Sequence, residues 1–377
     1  MRKIKKWIVK ILLFIGLLLC SEVRAEASEE VSIDLDYSEA QQALEEQLGN
    51  EAFDLEEYIQ GILSGEQKLS VESLLTYLKN GILKELEQDK NQLLRVVVIA
   101  VVAALFTNFS NIFKSNQVAD SGFYVAYLLM FSVLTASFYE ASQTALKVLE
   151  GLADFMKALA PAFFTAVTMA SGSATSLLFY QAALLVIWLV DVILLKIILP
   201  LIHIYFVIHL VNHLTEKDLL SKTTELMEEG VRWGLKTMLG LVVGYNFIQG
   251  IIAPAADEVK KSGMLRAAAA IPGVGNVLDS VTETVLGAGV LVKNAVGVGG
   301  IVALLLLMAG PVVELFCYMI FYRIGASLIQ PVSDKRILEC LLGTATAARL
   351  LLYTVCVGGA LFLLTIAIVM SATNLRL

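Results

Sequence analysis

Ile271 to Gly300 reads IPGVGNVLDSVTETVLGAGVLVKNAVGVGG, and its two halves require different surroundings. In the first half Val274, Val277, Leu278, Val281 and Val285 recur every three or four residues, while Asn276, Asp279, Ser280 and Glu283 take the opposite side. That spacing predicts a helix lying on a surface. The second half is apolar and carries Gly287, Gly289, Gly297, Gly299 and Gly300, with Lys293 and Asn294 interrupting the apolar run. Long hydrophobic segments lie on both sides. A glycine-broken, charge-interrupted stretch between membrane spans exceeds what an anchor requires, so it is read as a pathway-lining or gating element. A plainer reading of the same residues is an interfacial helix followed by a tilted span whose lysine snorkels.

Composition sets the surroundings of this stretch. Of the 377 residues, 57% are hydrophobic and 17% charged, and the mean hydropathy is +0.75. Soluble domains carry about 45–50% apolar and about 25% charged residues, so the chain is read as an integral membrane protein of all-α class. The net charge of -7 reflects acid concentrated near the N-terminus, and no basic run points to nucleic acid. Cys20, Cys317, Cys340 and Cys356 have no paired spacing. They are read as packing residues rather than a disulfide framework or a metal site.

Residues 1–27 have the form of a secretory signal: Arg2, Lys3, Lys5 and Lys6, then an apolar centre from Ile11 to Cys20, then a small-residue cleavage region. An uncleaved anchor is the alternative. Residues 28–92 form an acidic segment, expected outside the cytoplasm as a helical spacer or docking surface, and residues 93–377 a polytopic membrane domain. Leu93–Phe113 and Phe123–Ser142 each have the length of a span. From Ala145 to Leu159 an apolar stripe opposes Lys147, Glu150, Asp154 and Lys157. That predicts an interfacial amphipathic helix ended by Pro161, followed by a hinge or re-entrant piece. Ser176 to about Leu199 reads as a span, with a shorter apolar piece beyond Pro200. Lys217–Met238 reads as a second amphipathic helix leading into a span that ends near Pro254. Ile301–Phe321 and Leu350–Met370 complete a count of six to eight spans.

Few side chains inside these spans are charged. Asp191 and Lys196 are five residues apart, so an ideal α-helix points them in different directions. Glu314 lies in the span that follows the opening stretch. Such groups at membrane depth face a bundle interior or a water-filled cavity, or snorkel when close to the interface. His209 and His213 share a helix face, as metal ligands would, but Leu210 stands where an intramembrane zinc protease needs its glutamate. The sequence has no nucleophile elbow, Walker loop or dinucleotide fingerprint. No enzyme activity and no cofactor are expected.

Taken whole, the layout resembles the stage III sporulation protein AE family of endospore-forming bacteria. The resemblance is carried by Ile271-Pro272-x-x-Gly275 leading to Asp279, Thr282 and Thr284, by Leu291-Val292-Lys293-Asn294-Ala295-Val296-Gly297, and by Leu93–Phe113 with its Thr107-Asn108. It implies a non-enzymatic, multi-pass subunit of the channel complex between mother cell and forespore, resident in the mother-cell membrane around the forespore. The implied partners are an ATPase, ring-forming membrane proteins and a forespore-side protein. The residues expected to line or gate a pathway are Asp191, Lys196, Asp279, Glu283, Lys293, Asn294 and Glu314. Two other readings are a self-sufficient secondary transporter or channel, using Asp191, Lys196, Lys293 and Glu314 as its intramembrane site, and a structural scaffold in which these charges only lock helices together.

Overall fold

Every element described in the computed structural model is helical; it describes residues 35–48, 53–64, 116–171, 173–214, 219–268, 275–331 and 335–374. In chain order these are α1 (Ser38–Leu48), α2 (Leu55–Leu63), α3 (Asn116–Ser171), α4 (Ser173–Leu189), a π-helical segment (Val190–Ile198), α5 (Leu199–Asn212), α6 (Ser221–Ala268), α7 (Gly275–Ile329) and α8 (Lys335–Asn374). The signal-like residues 1–27 and the expected span Leu93–Phe113 lie outside the described residues. Among the described residues, four stretches are long and apolar enough to cross a membrane: Tyr127–Ser171, Thr175–Asn212, Gly287–Ile329 and Lys335–Ser371.

Long, unbroken helices replace several of the expected boundaries. Phe123–Ser142 and the amphipathic stretch after it are one helix, α3, and Pro161 lies inside that helix rather than ending it. A proline costs a helix interior about 3 kcal/mol. Here Leu159, Phe163, Ala166 and Val167 are buried on either side of it, and burial of that size outweighs the local cost. The Thr165 hydroxyl donates to the Pro161 carbonyl at 3.0 Å. Pro254 and Pro311 likewise lie within α6 and α7. The short piece Ile337–Leu342 and the last span are both α8.

The expected break at Gly287–Gly300 is also absent. Residues 275–329 are one continuous helix, and most of its glycines in this stretch mark close approaches instead of bends. A Cβ on Gly289 would meet the Met169 carbonyl at 2.6 Å, one on Gly299 the Ile59 side chain at 2.8 Å, and one on Gly300 the Leu159 side chain at 2.7 Å. Gly297 faces Met370. Glycine here removes the side chain that would hold neighbouring helices apart.

The acidic N-terminal region takes part in the same core. Leu44 of α1 and Leu55 and Ile59 of α2 are fully buried in one cluster with Leu149, Leu152 and Val296. The Gln47 side chain of α1 lies over Gly151 of α3. Each buried leucine or isoleucine contributes about 1.5–3 kcal/mol, enough to hold helices too short to be stable alone. Capping sharpens both starts. Asp54 accepts the Glu57 amide at 2.9 Å. Asp36 accepts the Ser38 hydroxyl at 2.6 Å and the Ser38 amide at 2.9 Å, which holds its carboxyl below the usual carboxylate range.

Helix α8 runs antiparallel to α7, and the contacts fix the depth of everything else. The Lys293 ammonium donates to the Met370 carbonyl at 3.1 Å, Gly300 sits by Ile366, and Gly359 by Met308. Between Lys293 and Glu314 the residues Asn294 to Val313 carry no charge, and on α8 none is charged from Leu350 to Asn374. Twenty residues at 1.5 Å each span about 30 Å, the thickness of a bilayer's hydrocarbon. This uncharged slab on α7 and α8 sets the membrane depth of the neighbouring helices. On α3, Thr144 lies level with Glu314 through a 3.0 Å hydrogen bond, Leu149 with Gly358, and Leu159 with Gly300.

Candidate functional site

The residues expected to line a pathway fall into separate places. Lys293 and Glu314 share α7 but are 21 residues, about 31 Å, apart along its axis. Lys293 is fully buried, Asn294 is 7% exposed, and the Asn294 Oδ1 has no hydrogen-bond partner. An ammonium at the C-terminal end of α8 complements the carbonyl dipoles collected there. Glu314 accepts from the Thr144 hydroxyl, and Tyr318 donates to Glu140 of α3 at 3.4 Å. Asp279 and Glu283 lie on α7, in a part where the backbone alone is described.

Asp191 and Lys196 are the pair whose geometry departs from expectation. On an α-helix five residues put side chains about 140° apart. Instead Val190–Ile198 is π-helical, with its C-terminal amide, Leu199 N–H, bonding to Leu194 O, five residues back. That repeat stacks residue i over i+5, and the Lys196 Nζ reaches Asp191 Oδ2 at 2.8 Å. The pair does not face the bundle interior: the Lys196 side chain is 65% exposed and that of Asp191 43%.

Three further polar features were not among the expected site residues. The first is the outward stripe of α3. Gln143, Lys147, Glu150, Asp154, Lys157, Pro161 and Thr165 are all exposed, and no large apolar side chain is exposed among the described residues between Tyr139 and Leu177. The stripe covers 23 residues, about 33 Å from first to last, and runs alongside the uncharged slab of α7 and α8. Asp154 and Lys157 pair at 2.8 Å. Beside it, α1 and α2 present Glu39, Glu45, Glu46, Glu56 and Glu57 outward. Lipid would leave these groups unsolvated, so this flank of the bundle faces water or polar protein. The signal was legible in the three-and-four spacing of the polar residues, but expecting the helix to stop at Pro161 hid its length.

The second is a charge network between α6 and α8. Glu228 pairs with Arg232 one turn on and accepts from Arg349 Nη2 at 2.7 Å. Both arginine Nε atoms are buried without a partner. Nothing in the local sequence links Glu228 to a residue 121 positions away. The third is the set of histidines. The His209 Nε2–H donates to the Glu339 carbonyl at 3.0 Å and the His213 Nδ1–H to the His209 carbonyl at 2.8 Å. Both rings are thus committed to backbone, and among the described residues no three His, Cys, Asp or Glu side chains are grouped to hold a metal ion.

A small apolar pocket, with about 20 Å³ of room, lies between α3, α4 and α8, lined by Leu159, Phe163, Phe179, Tyr180, Ile366 and Val369 among others. Two of its polar neighbours are already bonded: Ser176 accepts from Thr168 at 2.7 Å, and Thr365 donates to Leu361 O at 2.8 Å. The lining is mostly apolar, with Ser176, Tyr180 and Thr365 as its polar side chains.

Comparison with known proteins covers most of the chain. The family model for stage III sporulation protein AE matches residues 53–373. The stage III sporulation protein AE of Bacillus subtilis (strain 168) is 20% identical over 316 residues, covering 84% of this chain and 79% of the relative. No solved structure matches.

Proposed function

The chain belongs to the stage III sporulation protein AE family, and from that premise we propose that it is a non-enzymatic membrane subunit of a channel complex between mother cell and forespore. Its part in that complex is to supply one wall of an aqueous conduit. The observation that carries this reading is the α3 stripe from Gln143 to Thr165, a membrane-length row of exposed polar residues flanked by the acidic α1 and α2. A subunit surrounded by lipid has no use for such a row, and an assembly with a hydrated lumen does. Another flank, on α4 and α5, exposes Leu184, Trp188, Ile204, Val207 and Val211, as a membrane-embedded face should.

In this reading an ATPase, ring-forming membrane proteins and a forespore-side protein are its partners, in the mother-cell membrane around the forespore. The self-sufficient transporter reading loses ground because Lys293 and Glu314 stand at opposite ends of the slab, so they form no common substrate site. The experiment is a triple substitution, Glu150→Leu, Asp154→Leu and Lys157→Leu, in the spore-forming host. Membrane level, co-purification of partner subunits and heat-resistant spore count are measured separately. Unchanged level and assembly with a large loss of spores is the expected outcome. Lost assembly would favour a scaffold, and wild-type spore counts would remove the stripe from the mechanism.

A further inference from the structure

Helices α1 and α2 hold acid at membrane depth. Leu55 and Ile59 of α2 lie against Gly299, and the Gln47 side chain of α1 lies over Gly151. Gly299 falls within the uncharged run Asn294–Val313 of α7. Gly151 lies between Thr144, level with Glu314, and Leu159, level with Gly300. Both anchors are therefore inside the slab. Glu45 and Glu46 adjoin Gln47, and Glu56 and Glu57 lie between Leu55 and Ile59. These four carboxylates share that depth, and all four are exposed beside the α3 stripe.

The charge on this flank has one sign. Residues 35–64 contain no lysine, arginine or histidine. On the stripe Lys147 and Lys157 are matched by Glu150 and Asp154, so the surplus is that of α1 and α2. Lys293 is fully buried and donates to the Met370 carbonyl, so it adds no charge to this surface. The spare bonding capacity beside α2 is of one kind as well. Asn294 lies one turn before Val298, which packs with Phe53, Tyr58 and Ile62. It is 7% exposed and its Oδ1 has no partner. A buried acceptor without a donor is satisfied by a cation or by water, never by an anion. Charges of one sign on a low-dielectric wall focus the field and raise the local concentration of counter-ions by about 10- to 1,000-fold.

Resting on the conduit reading above, we infer that the conduit passes small cations and holds back anions, with α1 and α2 supplying the selecting charge. The test uses the full-length chain in native membranes of the spore-forming host, in a background without its own cysteines. Gln42→Cys, Gln143→Cys and Thr165→Cys, made singly, leave every charge in place. Each is treated with a positively and a negatively charged thiol reagent of equal size, and the ratio of rates is divided by the ratio for a free thiol in solution. The cationic reagent should be favoured about tenfold or more at all three positions. Replacing Glu39, Glu45, Glu46, Glu56 and Glu57 together by Gln should bring the ratio close to one while labelling continues. If that variant fails to accumulate, the unaltered chain carries the test: going from about 0.1 to about 1 M salt shortens the screening length from about 10 to about 3 Å and should shrink the preference severalfold. Labelling by both reagents without preference, or faster by the anionic one, would overturn the inference and leave the conduit standing. Silence to both reagents at all three positions would remove the conduit itself. Silence that gives way to labelling when the chain is expressed without its partner subunits would mark a partner protein as the cover of the acidic flank, and would overturn the inference too.

Discussion

Two glycines of the opening stretch, two residues apart, should respond to alanine in opposite directions. A Cβ on Gly289 would lie 2.6 Å from the carbonyl carbon and oxygen of Met169 and 2.8 Å from the Ala170 amide nitrogen. Those are backbone atoms, and no rotamer change relieves the overlap, so α7 must move away from the end of α3. Overpacking of this kind costs about 1–3 kcal/mol, set against up to about 1 kcal/mol that alanine returns in helix propensity. Gly289→Ala should therefore destabilise by about 1–2 kcal/mol net. A Cβ on Gly287 meets nothing within 4 Å, so Gly287→Ala should be neutral or raise stability by up to about 1 kcal/mol. The assay is thermal unfolding of detergent-solubilised protein followed by size-exclusion profile, with the two variants and wild type side by side. If the glycines served as hinges, both substitutions would leave the melting temperature unmoved and both would impair sporulation. That pattern, or an equal loss of stability in both variants, would refute the packing account.

Lys293→Met should leave the membrane level close to wild type, because an apolar side chain of similar length often replaces a buried ionic group at little cost. Lys293→Glu sets a carboxylate against the Met370 carbonyl and should lower the level severely, an effect of about 3 kcal/mol or more; immunoblots of membrane fractions read both. Glu228→Gln leaves Arg232 and Arg349 facing each other. Because Glu228 is 23% exposed, the cost should be below the 3–5 kcal/mol of a fully buried pair, about 2 kcal/mol, seen as a lower melting temperature that Arg349→Met restores. Asp36 has its carboxyl held down by Ser38. Its contribution to the start of α1 is therefore complete above the ordinary carboxylate value and is lost as the pH falls through the lowered one. Hydrogen exchange in α1 should rise in that acidic window for wild type, whereas Asp36→Asn should show no such rise.

The helical class follows from composition and from the length of the apolar runs, and the structure is helical in every described element, with four stretches among the described residues long and apolar enough to cross a membrane. Boundaries were harder to read, because local breakers lost to packing. Pro161, Pro254 and Pro311 all sit within helices, and Gly289, Gly297, Gly299 and Gly300 mark contacts with α3, α8 and α2 that no local pattern encodes. The opposed polar and apolar sides of Lys147–Lys157 were visible, whereas their continuation into a stripe of membrane length depended on the helix passing Pro161. The Asp191–Lys196 pair escaped for a different reason. A spacing of five separates side chains on the common helix and joins them only on the rare one, and no residue between them announces the change of pitch. The burial of α1 and α2 against Gly151 and Gly299 was masked by their acidic outer faces, which dominate the composition of that region.

Accessibility along α3 in native membranes tests the aqueous flank most directly. In a background with Cys20, Cys317, Cys340 and Cys356 replaced, single cysteines are placed at Gln143, Glu150, Asp154 and Lys157, and for comparison at Ile204 and Val207. Labelling with a membrane-impermeant, charged thiol reagent is then measured in intact and in opened membranes. The account predicts reaction at all four α3 positions, including Glu150 and Asp154 at the depth of the uncharged slab, and none at Ile204 or Val207. Labelling confined to one end of α3, with Glu150 and Asp154 as silent as Val207, would contradict it.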